Sequence, residues 1–302
     1  MIEILDARPG TSVQDLGRTG YAAWGIAPSG AADRASLRLA NRLVGNAEDA
    51  AVIEVLLGGL TIRADAGALI AVTGAPATVL LDRTRAGRRD GPQWVPAGVT
   101  LSLASPPEQL RSYIAVRGGL DTAEVLGSRS VDESSGIGRG LRPGDVLEVG
   151  SHTAGPPLID QAPRAGRPAG PLELHGVAGP RDNWFTAGTL ATLTTRPYAV
   201  TPAADRVGVR LTGPPLRRSV TREMWSEPTL RGAVEVPADG LPIVFGPDHP
   251  TTCGYPVIAV LDPASADLIS QCRPGQAVIF RLRRPAVRLS TSPRLLGGWP
   301  LS

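Results

Sequence analysis

The chain has 302 residues and no lysine, so all 31 of its Lys and Arg residues are arginine. The absence of lysine excludes a Schiff-base lysine, a phosphate-binding P-loop and a lysine that carries covalent biotin. Any bound anion must be held by guanidinium groups or backbone amides. The net charge of +3, spread along the chain, does not indicate nucleic-acid binding.

Cysteine and histidine are also scarce. Cys253 and Cys272 cannot form a disulfide framework, so we expect a reducing compartment, the cytoplasm. The three histidines, His152, His175 and His249, lie far apart, and we predict no metal site. The N-terminus lacks the apolar core of a signal peptide and no apolar run approaches the length of a membrane span, so we expect no membrane association.

Aromatic residues make up only 4% of the chain, whereas glycine (36) and proline (29) are abundant. Many turns imply short strands, and segments such as LTIRAD, ALIAVTGA, GVTLSLA and LPIVFG are rich in β-branched residues. The composition therefore predicts a mainly β fold, a barrel or a sandwich. We predict few helices, over about 29–44 with Ser29 as the N-cap, from Asp262-Pro263 to about Cys272, and through 182–193.

A linker is predicted at residues 151–171, where eight of 21 residues are proline or glycine. It separates a unit at 1–150 from a unit at 172–302. Each unit contains an apolar strand, YIAV or VIAVL, followed by an RPG turn and a further strand. The matching order favours an internal duplication.

Several polar residues stand beside glycines in turn-rich segments: QDLGR (14–18), PSGAADR (28–34), AVRGGLD (115–121) and TTCGYP (251–256). Each allows a structural interpretation. Asp15 and Arg18 could form a local ion pair, Asp33 could complement a helix dipole, and Cys253 could be a small buried side chain. Glu54 lies in an apolar strand and must find a partner or line a cavity, because an unpaired buried carboxylate is costly.

Ten motifs in order give the chain a family resemblance: QDLGRTGY, SGAADR, LANRLVGN followed by Glu54, AVTGA, AVRGGLD, VLGSRS, LRPGDVL, ADRVGVRL, GAVEVPADGLPIV and TTCGYPVIAV. Together they resemble the family of the 5-oxoprolinase C subunit, also known as KipA or the second allophanate hydrolase subunit, whose members are biotin-dependent carboxyltransferase-like. The resemblance covers about residues 3–282. It implies a fold of two cyclophilin-like β-barrel units. It also implies that the chain acts in a complex with a KipI-like B subunit and a lactam-hydrolase-like A subunit. The implied reaction opens 5-oxo-L-proline to L-glutamate, with ATP used by the complex. Because the chain has no lysine, we expect no covalent biotin on it.

We place the candidate site where QDLGR, SGAADR and TTCGYP would converge around a small amide. Arg18 would neutralise a substrate carboxylate or a phosphorylated intermediate, and Asp15 or Asp33 would accept an amide proton. Hydroxyl and backbone N–H groups would donate to developing negative charge. The predicted catalytic residues are Asp15, Arg18 and Asp33, and the predicted substrate-binding residues are Gln14, Ser29, Gly30, Glu54, Arg117, Thr252, Gly254 and Tyr255.

The sequence leaves two alternative functions open. The first is the carboxyltransferase of a urea or amide carboxylase, which would need a biotin carrier on another chain. The second is a regulator that binds a KipI-like kinase inhibitor and has no catalytic role.

Overall fold

The computed structural model describes residues 1–84, 87–163 and 170–283. Strands dominate these ranges, which contain three α-helices. The prediction of a mainly β fold with few helices is confirmed. None of the helices in these ranges is long and apolar enough to cross a bilayer. Residues 284–302 of the predicted second unit lie outside the described residues.

The first unit contains two five-stranded sheets, with orders β10-β1-β4-β8-β6 and β2-β3-β9-β5-β7. Their inner faces enclose one apolar core, to which Ile4 and Leu101 contribute from the first sheet and Ile53 and Ile114 from the second. The elements are β1 (Ile2–Asp6), β2 (Ser12–Gln14), α1 (Arg34–Val44), β3 (Val52–Leu56), β4 (Thr61–Ala64), β5 (Ala68–Gly74), β6 (Val79–Leu81), β7 (Pro92–Val95), β8 (Thr100–Leu103), β9 (Arg111–Val116) and β10 (Val146–Leu147).

The second unit is a closed barrel of seven strands in the order β11-β18-β15-β16-β13-β12-β19, in which β11 and β19 are parallel. Tyr198 and Phe280 pack edge to face in its core. Strands β14 and β17 form a separate two-stranded sheet. The elements are β11 (Leu172–Ala178), α2 (Thr189–Thr195), β12 (Tyr198–Val200), β13 (Gly208–Thr212), β14 (Glu227–Pro228), β15 (Ala233–Glu235), β16 (Ile243–Phe245), β17 (Thr252–Cys253), β18 (Val257–Leu261), α3 (Pro263–Ser270) and β19 (Ala277–Arg283).

The N-cap of helix α1 lies four residues later than the sequence predicts. Its N-cap is Asp33, whose carboxylate accepts from the backbone N–H of Ser36 at 2.9 Å. Ser29 is not the N-cap, because Ser29 (φ 54°) and Gly30 (φ 91°) both adopt the left-handed region and cannot start a helix. The predicted apolar face is confirmed, since Leu37, Ala40, Leu43 and Val44 are buried against β5 and β9.

The other two helix predictions are confirmed in part. Helix α3 starts at Pro263 with Asp262 as its N-cap and ends two residues before Cys272. The segment predicted as one helix through 182–193 instead forms a short 3₁₀ turn, Asp182–Trp184, and then α2. Gly188 (φ 87°) separates the two because its left-handed backbone interrupts helical geometry.

The two RPG segments adopt the same turn. In the first, Asp145 N–H donates to Arg142 C=O at 3.1 Å, and in the second Gln276 N–H donates to Arg273 C=O at 3.0 Å. Each turn leads into a strand, β10 or β19. Residues 151–163 of the predicted linker contain no helix or strand, and its residues 164–169 lie outside the described ranges.

Polar contacts join the two units at the N-terminus of α1. Asp267, on α3 of the second unit, accepts from the backbone N–H groups of Arg34 and Ala35, both at 3.1 Å. Arg231 donates to the same carboxylate and to Ala32 C=O, each at 2.6 Å. A carboxylate at this end of a helix is favoured by the helix dipole. The second unit therefore completes a helix that belongs to the first.

Gln271 is a second such contact, and its side chain is 4% exposed. Its amide oxygen accepts from Leu110 N–H at 3.1 Å and from Arg111 N–H at 2.7 Å. Its amide nitrogen donates to Asp33 Oδ2 and to Arg111 C=O, both at 2.9 Å. One side chain thus satisfies four groups of the first unit from the end of α3.

Replacing Gln271 tests whether this contact stabilises the whole chain. We expect Gln271→Ala to lower the free energy of unfolding by about 3 kcal/mol, because buried donors and a carboxylate lose their partners. Urea unfolding measures the change. The matched control is Gln276→Ala, since the Gln276 side-chain nitrogen has no hydrogen-bond partner among the described residues. We expect under about 1 kcal/mol for that variant. Equal losses for the two variants would contradict the interpretation.

Candidate active site

A cleft of about 470 Å³ lies where the two units meet. Part of its wall is apolar, with Leu56, Leu110 and Val207. Its polar side chains come from both units, with Thr11, Ser12, Gln14, Glu54, Arg111 and Glu133 from the first and Asp205, Arg206 and Asp248 from the second. A small molecule bound there would contact both halves of the chain.

Glu54 lies at the centre of the polar wall and is 1% exposed. Its Oε2 accepts from Ala32 N–H and from the Tyr113 hydroxyl, both at 2.9 Å. Its Oε1 lies 2.7 Å from Arg206 Nη1 and 3.4 Å from Arg111 Nε. The sequence-based expectation that this carboxylate finds a partner or lines a cavity is confirmed on both counts.

The electrostatics keep Glu54 ionised. Burial alone would raise its pKa, but Arg206, Arg111 and the two hydrogen-bond donors on Oε2 hold the pKa below the ordinary value of 4.5. Burial and the Glu54 charge raise the pKa of the Tyr113 hydroxyl well above its ordinary value, so that hydroxyl remains a donor.

Arg206 connects Glu54 to the second unit from the turn before β13. Its Nε and Nη2 contact the two carboxylate oxygens of Asp248 at 2.6 and 3.0 Å, and its Nη2 donates to Gly30 C=O at 2.8 Å. Burial alone would lower the pKa of Arg206, but the Glu54 and Asp248 charges raise it above the ordinary range. This planar fork suits a bidentate contact that a lysine could not reproduce.

Asp248 follows β16 and completes the cluster. Besides Arg206, it accepts from the Ser29 hydroxyl at 2.6 Å, so it binds the segment before α1 from across the junction. Burial raises the pKa of Asp248 despite the neighbouring guanidinium. Asp248 therefore releases its proton at higher pH than an ordinary aspartate, while Glu54 beside it is ionised at lower pH.

Two of the three segments predicted to converge do so. Arg18 N–H donates to Pro28 C=O at 2.8 Å and Ala31 N–H donates to Asp15 C=O at 2.9 Å. The two backbones approach so closely that a Cβ on Gly30 would lie 2.7 Å from the Gly17 nitrogen. QDLGR and SGAADR therefore form one packed junction, and its glycines are required by that close approach.

Asp15 and Arg18 have structural partners and do not line the cleft. The Asp15 carboxylate accepts from the hydroxyls of Ser128 and Ser130 at 2.6 Å and from the backbone N–H groups of Gly17 at 2.7 Å and Arg129 at 2.6 Å. The local Asp15–Arg18 pair considered from the sequence is wrong, because Arg18 donates instead to Ser130 C=O and Val125 C=O.

Asp33 and Arg117 hold the two ends of α1. Asp33 caps its start and also accepts from the Ser36 hydroxyl at 2.6 Å and from Gln271. Burial raises the pKa of Asp33. Arg117 Nη1 donates to Val44 C=O at 2.7 Å and to Gly155 C=O at 2.9 Å, at the opposite end of the helix. Neither residue lines the cleft.

TTCGYP is not brought to the other two segments. Thr252 and Cys253 pair with β14, and Tyr255 is 44% exposed beneath Arg218. Gly254 is close to Met224 C=O, where a Cβ would lie at 3.3 Å. Among the described residues, the group that reaches the cluster from this part of the chain is Asp248, three residues before Thr251.

Cys253 shows no sign of being a nucleophile. Its thiol donates to Glu235 Oε2 at 2.7 Å. Burial and the Glu235 carboxyl raise the pKa of Cys253 to about 11, so the thiol stays protonated at neutral pH.

Sequence reasoning missed Arg206, Asp248, Arg111 and Tyr113. Arg206 lies inside ADRVGVRL, a motif that carries the family resemblance, and Arg111 is a charged residue at the start of β9, a strand that is buried throughout. A buried carboxylate such as Glu54 requires a cationic partner, and the presence of these two arginines in the sequence was the signal that could have identified that partner. Within the described ranges, no group of three or more His, Cys, Asp or Glu residues could hold a metal ion.

The pH dependence of stability tests the Glu54 cluster. Because the folded-state pKa of Glu54 is below 4.5, its contribution is complete above the unfolded-state value and is lost as pH falls through the folded-state value. We expect Glu54→Gln to cost about 3 kcal/mol at pH 7 and clearly less at about pH 3.5. Urea unfolding at both pH values measures this. The control, Glu148→Gln, alters an exposed residue and should change stability by under about 0.5 kcal/mol at either pH. A pH-independent cost for Glu54→Gln would contradict the assignment.

Comparisons with known proteins agree with the family resemblance. The family described as carboxyltransferase domain, subdomain A and B, matches residues 24–282. The chain is 35% identical over 290 residues to the C subunit of 5-oxoprolinase from Escherichia coli K12, covering 93% of this chain and 90% of that protein. It is 33% identical to the Haemophilus influenzae protein of the same name, covering 98% of this chain and 94% of that one.

Solved structures show the same fold. The urea amidolyase of K. lactis matches with a TM-score of 0.85 and 29% identity over 93% of this chain, which spans only 18% of that longer protein. TTHA0988 matches with a TM-score of 0.81 and 34% identity over 93% of this chain and 56% of its own. The chain belongs to the carboxyltransferase domain family, subdomains A and B, and is a homologue of the 5-oxoprolinase C subunit.

Proposed function

We propose that this chain is the C subunit of an ATP-dependent 5-oxoprolinase that converts 5-oxo-L-proline to L-glutamate. The observation that carries the proposal is the 35% identity to the E. coli protein over 93% of this chain and 90% of that protein. Coverage this high on both sides argues for the same kind of subunit and not only for a shared domain.

We propose that the chain acts only in a complex, with a KipI-like B subunit and a lactam-hydrolase-like A subunit. It has no lysine and therefore no P-loop, so ATP would be used by the complex and bound with help from the partners. Both cysteines are free thiols, in keeping with a cytoplasmic complex.

The cleft between the units is the proposed substrate site. An amide is a poor electrophile, so catalysis needs fixed dipoles and charges where charge develops on its oxygen or nitrogen. Of the residues predicted from sequence, Gln14 and Glu54 line the cleft, while Ser29 and Gly30 bind the Asp248 and Arg206 groups that do. Catalytic roles for Asp15, Arg18 and Asp33, and binding roles for Arg117, Thr252, Gly254 and Tyr255, remain predictions without support from the cleft.

Within this site Arg206 is a positioning residue. It holds Glu54, Asp248 and Gly30 in one arrangement, and its side chain is 20% exposed. Asp248, whose pKa burial raises above the ordinary aspartate value, is the carboxyl group of the cleft that would exchange a proton with a bound amide.

A second candidate is the transfer of a carboxyl group to urea or a related amide. It is favoured by the TM-score of 0.85 to the K. lactis urea amidolyase. Because the chain has no lysine, a separate biotinylated carrier would be required. Carboxylation of urea by this chain with such a carrier, and no glutamate from 5-oxo-L-proline, would favour this candidate over the first.

Coexpression of the chain with its genomic neighbours tests the main proposal. We expect the purified complex to release glutamate from 5-oxo-L-proline only when ATP is present, measured by amino-acid analysis. The isolated chain should release none and should not hydrolyse ATP. A complex that contains all three proteins and yields no glutamate would refute the proposal.

Substitution of Arg206 tests the site within that complex. We expect Arg206→Met to lower kcat about 100-fold, because the carboxylates it positions are no longer fixed. The matched control is Arg210→Met, on β13 nearby, where the side chain is exposed and full activity is expected. Arg206→Lys keeps the positive charge but lacks the planar guanidinium, so we expect its kcat to stay close to that of Arg206→Met. Wild-type kcat in folded Arg206→Met would exclude this role.

A further inference from the structure

Two buried polar atoms, on residues that line the cleft, have no hydrogen-bond partner in the described part of the chain. They are the hydroxyl oxygen of Thr11 and the amide oxygen of Gln14, and both residues are fully buried. Buried polar atoms are almost always hydrogen-bonded, since an unmade bond costs free energy. Their presence at one cavity points to a ligand that supplies the missing bonds.

The orientation of the Gln14 amide is set by its surroundings. Its nitrogen donates to Val131 C=O at 3.0 Å and to the Ser12 hydroxyl at 2.9 Å. Because a backbone carbonyl can only accept, the nitrogen must lie on that side and the oxygen on the other. Gln14 therefore offers an acceptor that requires a donor.

The Thr11 hydroxyl is not fixed in this way. Since it makes no hydrogen bond to the described residues, its proton is free to point towards an acceptor on an arriving ligand. As a hydroxyl it can donate to a carbonyl oxygen.

The charged side chains of the cleft are already occupied. Arg111 and Arg206 contact Glu54, and Arg206 also contacts Asp248. Glu133 accepts from Gly140 N–H at 2.8 Å, and Asp205 accepts from Val207 N–H at 2.8 Å and Gly208 N–H at 2.9 Å. The two unpartnered buried atoms are thus a neutral acceptor and a neutral hydroxyl, which suit an uncharged group of the ligand.

We propose that Thr11 and Gln14 bind the –CO–NH– edge of a small cis amide, such as a lactam ring. The Thr11 hydroxyl donates to the amide carbonyl and the Gln14 oxygen accepts the amide N–H. A ring holds C=O and N–H on the same side, so one edge presents both groups. The proposal rests on the proposed function for the choice of 5-oxo-L-proline as the natural lactam, but not for the chemistry of the contact.

The variant Thr11→Val separates a ligand role from a structural one. Valine has nearly the same shape, and the lost hydroxyl has no partner among the described residues, so the stability of the full chain should be unchanged or raised. Binding of 2-pyrrolidone, followed by NMR titration, should weaken about fivefold, as expected for one neutral hydrogen bond. The control is Thr122→Val, another unpartnered buried hydroxyl in the described ranges but outside the cleft, which should leave binding unchanged.

A pair of ligands tests Gln14 without altering the protein. Cyclopentanone keeps the carbonyl of 2-pyrrolidone and lacks its N–H, so it should bind wild-type chain about fivefold more weakly. Thr11→Val should weaken both ligands by the same factor. Equal affinity of wild type and Thr11→Val for 2-pyrrolidone, or equal affinity of wild type for the two ligands, would overturn the proposal.

Failure of the proposed Thr11 and Gln14 contact can be distinguished from failure of the proposed function. If the complex releases glutamate with the same KM for 5-oxo-L-proline in wild type and Thr11→Val, the contact is wrong and the function stands. If 2-pyrrolidone binding depends on Thr11 but no complex releases glutamate, the contact stands and the function is wrong.

Discussion

A single buried carboxylate, Glu54, constrains much of this structure. It lies in a strand that otherwise contains only apolar residues, where an ionised side chain is tolerated only with full compensation. The first unit supplies Tyr113, Arg111 and the Ala32 N–H, and the second supplies Arg206. Neutralisation of the Glu54 charge therefore needs both units, and the cleft lies beside that contact.

The same contact explains why the cleft contains two carboxyl groups whose pKa values are shifted in opposite directions. Glu54 is kept ionised by two guanidinium groups, while burial favours the protonated form of Asp248 on the other side of Arg206. Pairs of carboxyl groups whose surroundings separate their pKa values are typical of sites that handle protons. Here the separation arises from the junction of two β units, each of which contributes one acid.

The fold was largely predictable because it depends on local pattern. Short β-branched segments between glycines predict strands, and the spacing of Leu37, Ala40 and Leu43 predicts α1. The start of α1 was not predictable, because the positive φ of Ser29 is maintained by Asp248, 219 residues away. Convergence of QDLGR and SGAADR was predicted, but the identity of the third segment was not. Asp248 and Thr252 are near neighbours in sequence, and only the turn of the chain after β16 decides which one faces the junction.

The two units are held together by contacts such as that of Asp267 with the N-terminus of α1. The helix start, the Glu54 cluster and the Gln271 amide are each completed across the junction by residues that lie outside 151–171. Residues 151–163 pack on the first unit, where Ala154 N–H donates to Gly45 C=O and Ala162 is buried in the core beside α1, so the contacts that join the two units do not depend on this peptide. A protease that cuts it would leave a nicked but associated molecule, and the two halves could be encoded as separate polypeptides that assemble through the same contacts.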